Sequence, residues 1–176
     1  MFQFNNTKKG FTLIELLLTI FIVTIGLAAV FLIAQFPLHQ TSISISRLTA
    51  AYLAQEGIEI VRNIRDTNWL EPSPWNSGLS PGNYEADYTY SDLVSCSGSC
   101  GYDDLRKLKI DNGFYKYSSG GEETKFKRKI AIESETDLES GTDHLKIKVT
   151  VYWKEKDGKT YTFPAVQENL YNWWSE

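Results

Sequence analysis

From Phe11 to Ala34 the chain runs 24 residues in which Glu15 is the only ionisable side chain. Roughly 20 apolar residues at about 1.5 Å each cross the ~30 Å hydrocarbon core of a bilayer. The segment is therefore able to span a membrane. Lys8 and Lys9 precede it, and no Lys or Arg occurs from Gly10 to Ser46. The positive-inside bias then predicts an amino terminus on the cytoplasmic side and everything beyond about residue 35 outside. A charged acid costs on the order of 2.5–3.5 kcal/mol at the centre of such a helix and less towards its ends. Glu15 therefore asks for a reason.

Glu15 stands fifth after Gly10. Cleavage between Gly10 and Phe11 would leave a new ammonium group on Phe11, four positions upstream of the carboxylate. A neighbouring copy would pair that amine with Glu15. In a medium of low dielectric a paired charge is penalised much less than an unpaired one, so docking in register satisfies the acid. The stretch Lys8-Lys9-Gly10-Phe11-Thr12-Leu13-Ile14-Glu15-Leu16 resembles the class III signal of type IV pilins and type II secretion pseudopilins. That resemblance implies removal of residues 1–10 by a membrane-embedded prepilin peptidase, N-methylation of Phe11, and polymerisation with other pilins or pseudopilins on an inner-membrane assembly platform. The run Ala51-Tyr52-Leu53-Ala54-Gln55-Glu56-Gly57-Ile58-Glu59 is similar to the helix continuation of PilV-type minor pilins and I-type pseudopilins.

Two simpler readings compete. A secretory signal peptide needs an apolar stretch of 7–15 residues and a small-x-small cleavage site, whereas this run is longer and Leu32-Ile33-Ala34-Gln35 offers no clear site. A plain signal anchor explains Lys8 and Lys9 but leaves Gly10 and Glu15 without a role.

The chain has 176 residues, and about 140 remain beyond the leader and the apolar run, enough for one hydrophobic core. Formal charge is -4; loss of Lys8 and Lys9 leaves 16 basic against 22 acidic side chains. An acidic exterior argues against a generic grip on nucleic acid. Lys125, Lys127, Arg128 and Lys129 cluster locally. Strand alternation would split them between two faces, which favours a solvated edge strand and leaves nucleic acid an open but unfavoured partner. The only cysteines, Cys96 and Cys100, flank Ser97-Gly98-Ser99. In an exported domain the pair is expected to form a disulfide stapling a surface loop, with roughly 2 kcal/mol of chain-entropy stabilisation. A closed zinc site wants four ligands, and His39 and His144 lie far off in sequence.

Pro37 predicts a kink where the helix leaves the membrane. Ile45, Leu48, Tyr52, Ala54, Ile58, Val61 and Ile64 recur at helical spacing, which predicts an amphipathic helix to about Asp66 with that stripe on the core and Gln55, Glu59, Arg62 and Arg65 on the polar face. Glu71 to Gly82 is dense in turn formers and reads as a loop. Strands are predicted at 84–90, 105–110, 114–117, 126–133 and 145–153, the last with Leu145, Ile147, Val149, Val151 and Trp153 on one face. Asp157-Gly158 supplies a hairpin turn into Lys159–Phe163. The fold expected is α+β and pilin-like: a long N-terminal helix, half transmembrane and half amphipathic, packed on a C-terminal antiparallel sheet.

No glycine-rich phosphate loop follows a strand, and only two histidines are available for a triad, so catalysis is unsupported. No cofactor is expected. Acids at Asp87, Asp92, Asp103 and Asp104 and at Asp137, Glu139 and Asp143 leave calcium possible, though the ordered spacing of a calcium loop is missing. Tyr171, Trp173 and Trp174 close the sequence and are expected to dock on the sheet, the alternative being a contact with an adjacent subunit or with the membrane interface.

These readings divide the chain into a leader (1–10), a transmembrane assembly helix (11–34), an amphipathic continuation (35–66) and a sheet-bearing extracytoplasmic head (67–176). The function expected is that of a minor pilin or pseudopilin, a structural subunit and not an enzyme. The site residues are Gly10 and Phe11 for cleavage, Phe11 for N-methylation, Glu15 for assembly, and Cys96 with Cys100 for the disulfide. The alternatives are a DNA-uptake minor pilin, binding through the bases around Arg128, and an unprocessed membrane-anchored binding module.

Overall fold

The structure is a computed structural model that describes residues 10–89, 93–136 and 143–173, with the backbone alone at 34–39. The chain divides into two compact units, Met1–Ser44 and Ile45–Glu176. One helix, α1 (Leu13–Leu70), contributes to both. Its backbone remains helical through Pro37, and the expected kink falls among the side chains outside the description.

In the first unit, Leu13–Ile33 is a 21-residue helical stretch long and apolar enough to cross a membrane, and none of it is covered by the protein. The threonines within it are internally satisfied. Thr19 and Thr24 donate their hydroxyls to the carbonyls of Leu16 and Phe21 at 2.8 and 2.9 Å. Such back-bonding removes the polar groups from an apolar surrounding.

The second unit packs the rest of α1 on antiparallel strands. These are β1 (Gly82–Glu85), β2 (Val94–Ser95), β3 (Lys109–Asp111), β4 (Phe114–Lys116), β5 (Glu122–Glu123), β6 (Phe126–Thr136), β7 (Asp143–Lys154) and β8 (Thr160–Tyr171). The main sheet has the order β2-β1-β6-β7-β8, and a smaller one the order β4-β3-β5. Register is set by alternation: Leu145, Ile147, Val149, Val151 and Trp153 of β7 are all buried, opposite Ile130 and Ile132 of β6. The β7–β8 turn closes as Gly158 N–H donates to the Glu155 carbonyl at 3.0 Å and Glu155 N–H to the Lys159 carbonyl at 3.1 Å. Gly158 takes the required positive φ of 82°.

Several expectations are corrected. The helix ends at Leu70, four residues later than expected, and Asn68 ties the following loop to its last turn through the carbonyls of Trp75 and Ser77. Strand β1 stops at Glu85 and β3 covers only the end of 105–110. Strand β8 continues well past Phe163, because Pro164 is tolerated on an edge strand where no ladder donor is needed.

The buried seam of α1 keeps Ala54, Ile58, Val61 and Ile64 of the predicted stripe but departs from it earlier in the helix. Ile45, Leu48 and Tyr52 are 61%, 58% and 65% exposed, whereas Ala50, Leu53, Ala54, Ile58 and Val61 form the core contact. Small residues decide this. A Cβ placed on Gly57 would sit 2.8 Å from Val149 Cγ1 and 3.1 Å from Arg128 Cδ, so the helix comes close to the sheet here. Arg65, assigned to the polar face, is buried over the Trp69 ring at 4.5 Å.

The basic run is not an edge strand. Strand β6 lies between β1 and β7, and Arg128 is fully buried on its core face. Its guanidinium donates to the carbonyls of Leu53 and Ala86 at 2.9 and 2.5 Å and pairs with Glu56 at 3.1 Å. Lys127 donates to the Tyr102 carbonyl, and Lys125 is held by Ser46 and Glu155. Three of the four bases are thus engaged inside the domain, and Lys129 is half-buried. Of the closing aromatics, Tyr171 stacks on the buried His144 at 4.9 Å and Trp173 meets the edge of Trp69 at 4.6 Å while staying 65% exposed. Trp174 lies outside the described residues.

Candidate functional site

The beginning of α1 gathers the residues singled out from sequence. Gly10, Phe11 and Thr12 are not helical, and α1 opens at Leu13. Leu16 N–H donates to the Thr12 carbonyl at 3.1 Å and Glu15 N–H to the Thr12 hydroxyl at 3.4 Å. Thr12 is therefore the N-cap, and Glu15 is the third helical residue. A hydroxyl at the cap followed three residues later by a glutamate is the capping-box spacing, in which the acid also reaches back towards the cap N–H. The sequence reading gave Thr12 no role; this spacing is the signal for one.

Glu15 belongs to the first turn, where a negative charge complements the positive end of the helix dipole. It is exposed, as are Phe11 and every residue of Leu13–Ile33. Gly10 is open as well, since a Cβ built on it would meet nothing within 4 Å. The geometry offers an uncovered peptide bond between Gly10 and Phe11, a capped helix start, and one carboxylate at the head of an uncovered apolar surface.

Elsewhere in the second unit the polar groups are engaged in holding loops. The structure joins Cys96 to Cys100, with Cα atoms 6.0 Å apart, as expected from their spacing. Asp104 accepts hydrogen bonds from the Ser99 hydroxyl and Gly101 N–H, which hold its carboxyl below the usual range. Glu85, almost fully buried, accepts from both the backbone and the guanidinium of Arg106 at 2.6 and 2.7 Å. Buried Asp87 accepts from Thr89 and from Tyr117 N–H. These bonds account for Asp87 and Asp104 as loop braces. Asp92, Asp137 and Glu139 lie outside the described residues, and among the described residues no group of three His, Cys, Asp or Glu side chains is placed to hold a metal ion.

Glu155 sits where the β7–β8 turn meets α1. Burial pushes its carboxyl up, but hydrogen bonds from Lys125, Ser46 and Trp153 and the Lys125 charge outweigh that and hold it low. An open groove of about 790 Å³ runs beside α1, lined by Glu59, Arg62, Asn68 and Tyr88 among others. Its cation is already paired, Arg62 binding Glu59 and Glu168.

A family model described as the prokaryotic N-terminal methylation motif matches residues 5–31. No curated protein and no solved structure matches the chain. The chain therefore carries the class III signal of type IV pilins, followed by an apolar helix. The matched stretch contains Gly10, Phe11, Thr12 and Glu15 and none of the sheet.

Proposed function

We propose that this chain is a minor pilin or pseudopilin, a structural subunit made as a prepilin and assembled into a type IV pilus or a type II secretion pseudopilus. In this reading residues 1–10 are the leader, prepilin peptidase cuts between Gly10 and Phe11, and the Phe11 amine is methylated. Residues 11–34 anchor the subunit with its head outside the cytoplasm. The observation that carries the reading is the matched motif set on a capped helix whose apolar surface is uncovered throughout Leu13–Ile33. Such a surface needs lipid before assembly and neighbouring helices after it. Glu15 then pairs with the Phe11 amine of an adjacent subunit, so register between copies is set by a charge that is costly when alone. The exposed row of Ile45, Leu48 and Tyr52 on the second unit offers a further apolar contact to a neighbouring subunit.

A DNA-uptake subunit would assemble in the same way, but Lys125, Lys127 and Arg128, three of the four bases that motivated it, are engaged inside the head. No observation favours it over the first reading. The test is the intact mass of the protein recovered from membranes of its own host, with its amino-terminal peptide sequenced. A chain beginning at Phe11 and carrying one extra methyl is expected. A chain retaining Met1 in cells with an active prepilin peptidase overturns the proposal and leaves an unprocessed, tethered domain.

A further inference from the structure

We propose that Thr12 controls how fast the Gly10–Phe11 bond is cut, by capping α1 so that the bond stays outside the helix. The inference rests on the processing reading above and adds to it a positioning residue with a defined bond.

Two partners compete for one donor. Were α1 to begin one residue earlier, Glu15 N–H would donate to the Phe11 carbonyl, and a further residue would bring Ile14 N–H onto the Gly10 carbonyl. In the structure the Thr12 hydroxyl takes Glu15 N–H instead, and the Thr12 carbonyl takes Leu16 N–H. Phe11 and Gly10 are left non-helical, with open space on the Gly10 side. Gly10 disfavours a helical place by about 1 kcal/mol, but Phe11 continues the apolar pattern that makes Leu13–Ile33 helical. The cap at Thr12 and the glycine together stop the helix short of the scissile bond.

The consequence is chemical. Hydrolysis adds water across the amide: its oxygen bonds to the Gly10 carbonyl carbon, the bond to the Phe11 nitrogen breaks, and that nitrogen keeps the electron pair and gains a proton. The products are a Gly10 carboxylate and a Phe11 amine. A hydrolase holds a substrate backbone by its N–H and C=O groups, and a helix extended to the scissile bond would already have used the Phe11 and Gly10 carbonyls. Substrate whose helix has grown through Phe11 must fray before it binds, so the apparent affinity falls in proportion to the competent fraction. Removing a threonine cap shifts such an equilibrium by about two- to thirty-fold.

The experiment compares the full chain and its variants in bilayer nanodiscs with prepilin peptidase, following release of residues 1–10. Thr12→Val keeps the shape and loses the acceptor; it is expected to lower kcat/KM by about two- to thirty-fold, through KM with kcat little changed. Thr12→Ser and Thr12→Asp, which also cap, are expected to restore it. Amide hydrogen exchange at Glu15 is expected to change in Thr12→Val only. Cleavage of Thr12→Val with wild-type KM overturns the inference while leaving the processing reading intact. Ser and Asp variants as slow as Val also overturn it, since the peptidase would then be reading the threonine itself. A wild-type chain that is not cut at Gly10–Phe11 overturns the processing reading, and this inference with it.

Discussion

The two stretches of α1 follow opposite rules. From Leu13 to Ile33 no side chain is covered, and the apolar residues face every direction. From Ile45 to Leu70 one seam is buried and made largely of small residues, with Ser46, Ala50, Ala54 and Gly57 among its members. A helix that is apolar all round declares its environment, because its own chain supplies no cover. A helix with a small-residue seam declares a neighbour, because small side chains matter only where another backbone comes close. The first stretch is therefore readable from composition, and the second only in part: Ala54, Ile58 and Val61 follow from spacing, while Ser46, Ala50 and Gly57 follow from packing.

The largest effect expected from that contrast is at Arg128. It fills the space beside Gly57, satisfies the helix carbonyl of Leu53, and links Ala86 and Glu56 to the sheet. Arg128→Ala empties a buried position and leaves the Ala86 carbonyl without its donor, a loss of about 1–3 kcal/mol. The measurement is chemical denaturation of the full chain in detergent. A surface arginine would give a change near zero, so a small value would return Arg128 to the exterior and reopen the basic-patch reading.

At Gly57 the effect is smaller and its sign is informative. Alanine is better than glycine within a helix by about 1 kcal/mol. Here, however, the added methyl meets Val149 Cγ1 at 2.8 Å, and overpacking typically costs 1–3 kcal/mol. Gly57→Ala is expected to destabilise by about 1 kcal/mol in the same denaturation experiment. A stabilised variant would mean that helix and sheet are not in close approach and that the seam is wrongly placed.

These positions mark where sequence reading stops. Alternation identified the interior of β6 and β7 because the period of a strand is written in its own residues. The extension of β8 was hidden by Pro164, which is acceptable only on an edge, and edge position is a tertiary fact. Ala54, Ile58 and Val61 were legible as core, whereas large apolar residues drew attention to Ile45, Leu48 and Tyr52 in place of Ser46, Ala50 and Leu53. Arg128 was obscured by its basic neighbours in sequence, although those neighbours are separated in space by the pleat. At the start of α1 the opposite holds: Gly10, Phe11 and Glu15 stand out because the surroundings are uniform, and the cap at Thr12 is written in the same few residues as the Thr-x-x-Glu spacing.

The smallest effect on stability separates folding from assembly within one helix. Leu48 and Tyr52 lie on α1 beside the buried Leu53, yet both are more than half exposed. Replacing both by serine removes apolar surface that the folded subunit leaves in water, so the denaturation midpoint should move by no more than about 0.5 kcal/mol equivalent. If the row is a contact between subunits, the same variant should be processed normally and yet recovered in sheared filaments at a fraction of the wild-type level. Exposed apolar rows that serve no contact give wild-type recovery, and that result would confine assembly to Leu13–Ile33 and Glu15. A variant that instead unfolds would show that the row is covered by its own chain, erasing the distinction between a face that folds the head and a face that joins it to the next.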